Sequence, residues 1–405
     1  MEKIYNGDEK MLDLEMIRDA RSALNGVARV TPLTPAKNLG QNIYIKSENL
    51  QLTGAFKLRG AYNKLRSLSE EEHKKGVIAC SAGNHAQGIA LSASMLGMKS
   101  IICMPAGAPL SKVEATRNYG AEVVLVPGVY DDAAAEAERM VKEYGYTFAH
   151  PFNDEYVMAG QGTIGLEILE QLPDVDQVVV SIGGGGLISG VGCAIKSLKP
   201  SCRVIGVQAA GAASMYVSMR EGKPTALPSV STIADGIAVK CPGVLTFDYC
   251  RKYVDEIVTV KEDEIATAIL ALMEDQKTVA EGAGAATVAA VMFGKVRVHD
   301  RKTVCIVSGG NIDVTTISRV ITKGLTKTGR ITEITTKIAD KPGSLIGLLQ
   351  VVAKTGANII NISHSREDKD SDVVACIVTM SLETRNLQHV DDIERELLSA
   401  GYPLL

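Results

Sequence analysis

The chain has 405 residues, of which 46% are hydrophobic and 22% are charged, and its formal net charge is −4. This length and balance predict a soluble globular protein of two or three domains, since one domain usually holds about 100–200 residues. No block of Lys and Arg stands out, which argues against nucleic acid as a partner.

Eight cysteines are scattered singly, and no CxxC pair occurs. Neither a zinc ribbon nor a thioredoxin-like motif is therefore indicated, and we predict no bound metal. Several cysteines lie in apolar runs such as VCIVS, where burial is expected. The charged start MEKIYNGDEK lacks the apolar stretch of a signal peptide, so a cytoplasmic protein is expected.

Short β-branched runs alternate with helical patterns, such as those over residues 86–97 and 131–144. The runs are GVIAC, KSIICMP, AEVVLVP, QVVVSI, CRVIGVQ and KTVCIVS. This alternation predicts βαβ units and largely parallel sheets that are covered on both faces. The uncharged run from Val178 to Ile195 is as long as a membrane span, but its six glycines favour a strand, a glycine turn and a helix start. No membrane partner is therefore expected.

The pattern changes after Gly329. RITEITTKIA alternates like a half-buried strand, and the next segment has helical spacing, with Pro342 in its first turn and Gly356 at its end. NIINISHS, SDVVACIVTMSL, a helix over Gln388–Ser399 and a short final strand follow. This order predicts a ferredoxin-like α+β unit, βαββαβ, at residues 331–405, after a linker at 326–330.

Three strand ends lead into glycine-rich turns: SAGNHAQG at 81–88, GGGGL at 183–187 and SGGN at 308–311. In a parallel sheet such turns lie at the carboxyl ends of the strands, where ligands bind. A glycine turn before a helix can direct backbone N–H groups at an anion. The spacing fits neither the dinucleotide fingerprint nor GxxxxGK[ST], so nucleotide hydrolysis is not expected.

Lys57 lies in the segment SENLQLTGAFKLRGAY. From this segment alone, a solvated surface cation remains the ordinary interpretation. A lysine, an anion-binding glycine turn and a strand-end serine together suit a phosphorylated aldehyde cofactor carried on an amine. The glycine turn would hold the phosphate, Asn84 would donate to a ring oxygen, and Ser308 would meet the ring nitrogen.

Together these motifs resemble the serine/threonine dehydratase family of fold type II pyridoxal-phosphate enzymes, over nearly all of the first 325 residues. KSENLQLTGAFKLRGA is similar to its cofactor-lysine motif, and SAGNHAQG, GGGGL and SGGN are similar to its substrate, phosphate and ring-nitrogen loops; ADGIAV and VAEGAGA also have counterparts. The resemblance implies a tryptophan synthase β-like α/β fold with two parallel-sheet subdomains. The catalytic domain would span residues 1–325, with the smaller subdomain inserted at roughly 47–153.

The resemblance also implies residue roles. Lys57 would carry pyridoxal 5'-phosphate as a Schiff base and then take the α proton of an amino acid substrate. The other cofactor contacts would be Phe56 beside the ring, Asn84 on the ring hydroxyl, Ser308 on the pyridine nitrogen, and the phosphate loop of Gly183, Gly184, Gly185, Gly186 and Leu187. The substrate would meet Ser81, Asn84, His85, Gly236 and Glu281. For His85, a helix-start histidine without a chemical part stays an open alternative.

The implied activity is conversion of L-threonine to 2-oxobutanoate and ammonia, with L-serine to pyruvate as a secondary reaction. Ala82 stands where racemases of the family carry a serine, and Gln208 and Ser214 stand where they carry acidic metal ligands. Racemisation and a tight Mg²⁺ or Ca²⁺ site are therefore not expected. A serine-preferring ammonia-lyase and an amino-acid-sensing regulatory protein on an inactive scaffold stay as alternatives.

ADKPGSLIGLLQVVAKTGANI resembles the first half of an ACT domain, a regulatory module that often binds amino acids between paired copies. The resemblance places ligand positions at Asp340, Gly343 and Asn358. An amino acid and a nucleotide both stay open as effector, as do biosynthetic and catabolic roles. A homo-oligomer, dimer or tetramer, is expected, because the short last strand leaves a sheet edge that a partner could cover.

Overall fold

The computed structural model describes residues 11–366 and 374–405. The chain forms two compact units, Met1–Ile312 and Asp313–Leu405. The division at residue 312 falls before the expected end of the catalytic domain at 325, and the predicted boundary, inserted subdomain and linker stay predictions. In the described residues, no helix is both long enough and apolar enough to cross a membrane.

In its described part, the first unit contains twelve α-helices and ten strands. The helices are α1 (Leu14–Ala23), α2 (Lys57–Arg66), α3 (Glu70–Lys75), α4 (Asn84–Met95), α5 (Leu110–Asn118), α6 (Tyr130–Tyr144), α7 (Glu155–Gln171), α8 (Gly186–Leu198), α9 (Ser214–Glu221), α10 (Val244–Tyr253), α11 (Glu262–Gln276) and α12 (Gly282–Met292). The strands are β1 (Leu33–Pro35), β2 (Ile43–Ser47), β3 (Val77–Cys80), β4 (Ser100–Pro105), β5 (Glu122–Val126), β6 (Thr147–Phe148), β7 (Gln177–Ser181), β8 (Arg203–Ala209), β9 (Glu256–Val260) and β10 (Thr303–Val307).

These strands form two sheets, as the alternating sequence pattern predicts. The larger sheet has the order β1-β2-β10-β7-β8-β9, and the smaller one has the order β5-β4-β3-β6. All pairs are parallel except β1 with β2. Strands β7 and β10 are buried along their whole length, because helices cover both faces of a parallel sheet.

The uncharged run from Val178 to Ile195 does not form one helix. Its first residues lie in β7, four glycines turn the chain, and the remainder lies in α8. Gly185 has a φ of +101°, a left-handed conformation that favours glycine. The prediction of a strand, a glycine turn and a helix start is confirmed.

Helix α2 begins at Lys57 and packs closely on α7. A Cβ on Gly60 would lie 2.6 Å from the carbonyl oxygen of Val157, and one on Gly160 would lie 2.4 Å from that of Arg59. Only glycine lets the two backbones approach this closely. The glycine of the segment KLRG therefore fixes the helix that begins with Lys57.

The second unit consists of α13 (Val314–Lys327), β11 (Ile331–Ala339), α14 (Ser344–Thr355), β12 (Asn358–Ser365), β13 (Ala375–Glu383) and α15 (Leu387–Ser399). Its sheet is antiparallel with the order β11-β13-β12, and Leu404 makes a bridge to Thr336. The expected ferredoxin-like order is confirmed. Pro342 was expected in the first turn of α14, but that helix starts at Ser344, because Gly343, with a φ of +90°, makes the turn before it.

All eight cysteines are free, and seven of them are buried, the exception being Cys241. The prediction that cysteines in apolar runs act as small hydrophobic side chains is confirmed. Cys305, for example, lies in the fully buried strand β10.

Candidate active site

Lys57 lies at the first turn of α2 and is half-buried. Its Nζ donates to the carbonyl oxygen of Pro151 at 2.9 Å and lies 5.3 Å from the centre of the Phe56 ring. Burial lowers the pKa of this amine to about 8, against the opposing charge of Glu281. Lys57 is therefore not a solvated surface cation.

Asn84 and Glu281 form a second part of the site, joined by a short hydrogen bond. Asn84, the first residue of α4, donates from Nδ2 to Oε1 of Glu281 at 2.7 Å. Glu281 is only 4% exposed, and burial, with the charge of Asp235, raises its pKa to about 7. This carboxyl group can therefore hold or release a proton near neutral pH.

Asn311 orients the amide of Asn84. The Nδ2 of Asn311 donates to Oδ1 of Asn84 at 2.8 Å and to the carbonyl oxygen of Thr53 at 2.7 Å. The amide of Asn84 is thus held on both sides, with its donor group directed at Glu281. Asn311 belongs to the segment SGGN, but its role was not predicted, because its contact to residue 84 exists only in the folded chain.

His85 is 4% exposed, and its Nε2 lies 2.8 Å from the carbonyl oxygen of Ala149. Burial and the charge of Lys57 lower its pKa to about 3, so the ring is neutral. This geometry favours the alternative interpretation, in which the ring holds the backbone at Ala149 rather than taking part in chemistry. That backbone continues to Pro151, the acceptor for Lys57.

The segment from His150 to Phe152 links the lysine to the glycine turn, a connection that the sequence did not indicate. The Nδ1 of His150 accepts hydrogen bonds from the backbone N–H groups of Phe152 at 3.2 Å and Asn153 at 2.8 Å. A Cβ on Gly184 would lie 2.4 Å from the Phe152 ring. The ring therefore occupies the space that any side chain at Gly184 would need.

The turn at Gly183–Leu187 is packed so closely against its neighbours that its glycines leave no room for side chains. Besides Gly184, a Cβ on Gly185 would lie 2.7 Å from the Cβ of Thr246 and one on Gly186 would lie 2.9 Å from the Cβ of Phe152. The Thr246 hydroxyl donates to the carbonyl oxygen of Gly184 at 2.5 Å, which fixes the turn. The turn opens helix α8, whose first N–H groups have no partner within the helix.

Ser308 follows β10 and is 2% exposed. Its Oγ accepts a hydrogen bond from Ser181 at 3.3 Å, which leaves its own hydrogen available. The backbone N–H of Phe56 donates to the carbonyl oxygen of Ser308 at 3.1 Å, and Ala55 forms a bridge to Gly309. The chain just before Lys57 is thus bound directly to the strand end that carries Ser308.

Ser81 and Gly236, also predicted to contact the substrate, lie next to the residues described above. Ser81 follows β3, and its Oγ accepts from the N–H of Gly83 at 3.2 Å. Gly236 is close to Glu281, since a Cβ there would lie 3.2 Å from Oε1. Its neighbour Asp235 forms an ion pair with Lys112 at 2.7 Å, which joins the short helix Asp235–Ile237 to α5.

A buried ionic cluster, defined by Lys46, Glu48, Arg59 and Glu167, lies on the far side of α2. The Arg59 guanidinium contacts Glu48 at 2.8 Å and Glu167 at 2.7 Å, and Lys46 contacts Glu167 at 2.5 Å. All four side chains are at most 1% exposed. Because Arg59 lies two residues after Lys57, this cluster anchors the start of the helix that carries the lysine.

Gln208 is one of the two residues that stand where racemases were expected to carry metal ligands, and both ends of its side-chain amide already make hydrogen bonds. Its Nε2 donates to the carbonyl oxygens of Ile182 and Ala212, each at 3.3 Å, and its Oε1 accepts from the N–H of Tyr216 at 2.8 Å. The absence of a Mg²⁺ or Ca²⁺ site here stays a prediction.

The predicted regulatory residues lie in the second unit. Asp340 follows β11 and pairs with Arg366 at 2.8 Å, while Gly343 precedes α14. Asn358 starts β12, and its Nδ2 donates to Glu383 at 3.3 Å. Asp340 lies beside Val374, whereas Asn358 lies opposite Glu383, so nine residue steps along β13 separate the two positions by about 30 Å within one chain.

The first-unit residues fit a phosphorylated aldehyde cofactor, as the resemblance implies. The glycine turn has no room for side chains at Gly184, Gly185 and Gly186, and helix α8, whose first N–H groups can bind an anion, begins there. Lys57 supplies an amine of lowered pKa, and Ser308 keeps a free hydroxyl hydrogen at a strand end. These three features come from α2, β7–α8 and β10, whose adjoining ends meet through the contacts described above.

Comparison with known proteins gives concordant matches. A family described as pyridoxal-phosphate dependent enzymes matches residues 24–309. The chain is 52% identical to the L-threonine ammonia-lyase of Thermotoga maritima over 97% of this chain and 98% of that protein. It is 51% identical to the catabolic L-threonine dehydratase of Escherichia coli K12 over 69% of this chain and 85% of that protein.

Among solved structures, the processed form of threonine deaminase isoform 2 from Solanum lycopersicum is similar to this chain. The TM-score is 0.73 at 38% identity, covering 80% of this chain and 93% of the other. The expected fold type II architecture is confirmed, and the family match at residues 24–309 includes Lys57, Asn84, the glycine turn and Ser308. The chain belongs to the family of pyridoxal-phosphate dependent enzymes.

Proposed function

We propose that this protein is an L-threonine ammonia-lyase, which converts L-threonine to 2-oxobutanoate and ammonia and L-serine to pyruvate as a secondary reaction. The observation that carries the proposal is the half-buried Lys57 amine near the glycine turn and Ser308, which donates to a backbone carbonyl oxygen and has a lowered pKa. The 52% identity to a protein of that name, over nearly the whole length of both chains, supports the choice of substrate.

Pyridoxal 5'-phosphate supplies an aldehyde that captures amines and a ring that withdraws electrons from the substrate's α carbon. Lys57 is the residue whose Nζ would hold that aldehyde and would afterwards accept the α proton. With a pKa of about 8, roughly a tenth of this amine is neutral at pH 7, far more than for an ordinary lysine. Phe56 packs beside the lysine and limits its contact with water.

The neighbouring residues orient the cofactor and the substrate. Gly183–Leu187 would hold the phosphate through backbone N–H groups, and Ser308 would offer the pyridine nitrogen the hydroxyl hydrogen that its contact with Ser181 leaves available. A neutral partner of this kind would not keep that nitrogen protonated, so electron withdrawal would be moderate and would suit loss of a β-hydroxyl group. Asn84 donates one amide hydrogen to Glu281, and its second amide hydrogen would meet the ring oxygen.

Glu281 and the turn after β3 complete the substrate side. The N–H groups at the start of α4, near Ser81, suit the substrate carboxylate. Glu281, with Gly236 leaving space beside it, holds a proton that its pKa of about 7 allows it to exchange. His85 positions the backbone around Ala149.

The direct test is to measure ammonia and 2-oxobutanoate released from L-threonine by the cofactor-loaded protein, with L-serine as competitor. A larger kcat/KM for threonine supports the proposal, and a larger value for serine favours the serine-preferring alternative. A folded, cofactor-loaded protein that turns over neither amino acid would favour the sensing protein on an inactive scaffold.

For the second unit, we propose an ACT domain at residues 331–405 that binds an amino acid or nucleotide effector between two copies of the chain. Asp340 and Asn358 lie about 30 Å apart in one copy, so a single small ligand can meet both positions only across two copies. This geometry supports a homo-oligomer, a dimer or tetramer. Gly343 leaves open space beside Asp340, since a Cβ there would meet no atom within 4 Å.

The test of regulation compares initial rates on L-threonine with and without isoleucine, valine, AMP and CMP, in the full chain and after deletion of residues 331–405. An effect that is present only in the full chain supports the proposal, and an effect that survives the deletion contradicts it. Eight free thiols suit the reducing cytoplasm, which is the location we propose.

A further inference from the structure

Three side chains that could bind a metal ion meet at one end of the second unit's sheet. Asp340 follows β11, His364 lies near the end of β12, and Cys376 lies near the start of β13. One ligand atom from each lies within 4.8 Å of the other two. The closest pair is Nε2 of His364 and Sγ of Cys376, which are 2.8 Å apart.

The strand register explains why these residues meet. Cys376 pairs with Ile338, and His364 pairs with Val378, so the side chains of Cys376 and His364 lie on the same face of the sheet as those two apolar residues. Asp340 follows Ile338 by two positions and therefore has its side chain on that face too. A hydrogen bond of 2.9 Å from the N–H of Asp340 to Val374 continues the pairing beyond the strand end.

We propose that Asp340, His364 and Cys376 bind one divalent transition-metal ion of the zinc type. A thiolate, an imidazole and a carboxylate together suit zinc or cobalt, whereas Mg²⁺ and Ca²⁺ require a shell of oxygen atoms. Three protein ligands leave a fourth tetrahedral position for water or another small ligand. The site is separate from the pyridoxal-phosphate chemistry, and it holds whether or not the proposed lyase activity is correct.

The ligand spacing agrees with zinc coordination. Bond lengths of about 2.0–2.3 Å around a tetrahedral ion place neighbouring ligand atoms about 3.3–3.8 Å apart. The three atoms already lie between 2.8 and 4.8 Å of one another. Small side-chain rotations are therefore enough to form the site, and the strands need not move.

The charges also balance. An aspartate and a thiolate neutralise a divalent ion, and a neutral histidine adds no charge. Arg366 donates to both carboxylate oxygens of Asp340, at 2.8 and 3.1 Å. Each carboxylate oxygen has a further lone pair, so Arg366 can stay bound and orient the aspartate from outside the metal site.

A reactive cysteine–histidine pair explains the cluster less well. Cys376 is 1% exposed, and its thiol also contacts the carbonyl oxygen of Ile338 at 3.7 Å. Reactive cysteines are usually partly exposed, whereas this one is buried. A metal site requires only that the ligand atoms converge, and here they lie within 4.8 Å of one another.

The experiment titrates the full-length, cofactor-loaded protein with Co²⁺ and then Zn²⁺, after treatment with a chelator. We expect one equivalent of Co²⁺ per chain, with a thiolate-to-cobalt charge-transfer band that Zn²⁺ abolishes. Cys376→Ser and His364→Gln should weaken Co²⁺ binding by about 100-fold or more, and Cys376→Ser should remove the band. His364→Gln changes an exposed side chain and should therefore fold. It still tests the site if Cys376→Ser, which changes a buried side chain, fails to fold.

Two matched controls exist within the chain. Cys241→Ser removes the exposed cysteine, and His299→Gln removes a histidine whose side chain is 83% exposed. Neither change should alter the affinity or the band. The proposal is overturned if Co²⁺ fails to bind at concentrations up to about 100 μM, roughly the weakest affinity expected of a specific site. It is equally overturned if the band persists in Cys376→Ser or disappears in Cys241→Ser.

Discussion

Two lysines near the start of the chain are withdrawn from water but have opposite surroundings. Lys46 has three acceptors: Glu167 at 2.5 Å, the carbonyl oxygen of Thr31 at 2.7 Å and Gln171 at 3.1 Å. Lys57 has one, the carbonyl oxygen of Pro151. Burial lowers the pKa of both amines, but Glu167 and Glu48 oppose the shift at Lys46, and only Glu281 does so at Lys57.

These different surroundings indicate a structural role for Lys46 and a chemical role for Lys57. Lys46 belongs to an ionic cluster in which every charge has a partner, and such a cluster fixes geometry. Lys57 lacks a bonded carboxylate, so it can give up its proton and act as a nucleophile or base. Arg59, on the same helix as Lys57, joins the two regions, because it belongs to the cluster and holds the helix start in place.

The largest expected effect on activity comes from Lys57→Ala. Loss of the Lys57 amine should reduce kcat by at least about 1,000-fold and remove the absorbance band of the bound cofactor. The free energy of unfolding should change by less than about 1 kcal/mol, because no ion pair is broken. Lys64→Ala, on the same helix and paired with Asp154, is the control and should keep the band. Ammonia release by Lys57→Ala near the wild-type rate would refute the assignment.

The largest expected effect on stability comes from Glu167→Ala. This change leaves Lys46 and Arg59 buried without their shared carboxylate and should lower the free energy of unfolding by about 3–5 kcal/mol. Glu170→Ala, which removes the exposed partner of Arg21, should cost less than about 1 kcal/mol. Denaturant unfolding measures both. Equal losses in the two variants would show that the cluster does not anchor α2.

At alkaline pH, the free energy of unfolding of Glu281→Gln should be higher than that of the wild type. Burial raises the pKa of Glu281 from 4.5 to about 7, so the folded chain binds this proton more tightly than the unfolded chain. The resulting stability is fully present below about pH 4.5 and is lost as the pH rises through about 7, a change of about 3 kcal/mol. Between about pH 4.5 and 7, the free energy of unfolding of the variant should therefore rise relative to that of the wild type.

Denaturant unfolding at a series of pH values measures this difference, with the exposed Glu114→Gln as control. Only the Glu281 variant should show a gain that grows with pH. A constant difference between wild type and Glu281→Gln at all pH values would mean that the carboxyl group titrates normally.

Asn311→Ala should have the smallest effect of the four. It removes the hydrogen bond that orients Asn84, worth about 1–1.5 kcal/mol, so kcat/KM should fall by about 10-fold. The position of the cofactor band should shift as well, since the ring-oxygen donor is freed; a purely structural role would leave the band unchanged. Asn386→Ala, which removes the cap of α15 in the second unit, is the matched asparagine control and should not shift it.

The sequence alone determined the architecture of both units. Alternating β-branched runs and helical patterns predicted the parallel sheets, and the period-two alternation of RITEITTKIA predicted β11. Both predictions were possible because these patterns follow from local side-chain spacing. The glycine turns at 183–187 and 308–311 marked the strand ends at which the candidate site lies. The motif around Lys57 indicated a working amine through resemblance to a known family.

Only the tertiary structure decided which charged residues have partners. Lys46 and Lys57 are both lysines in one segment, and their different surroundings depend on Glu167 and Pro151, which are distant in sequence. The hydrogen bond from Asn311 to Asn84 likewise joins residues that are distant in sequence. Asp340, His364 and Cys376 come from three strands and have no ligand spacing in the sequence, because antiparallel pairing, rather than chain proximity, brings them together.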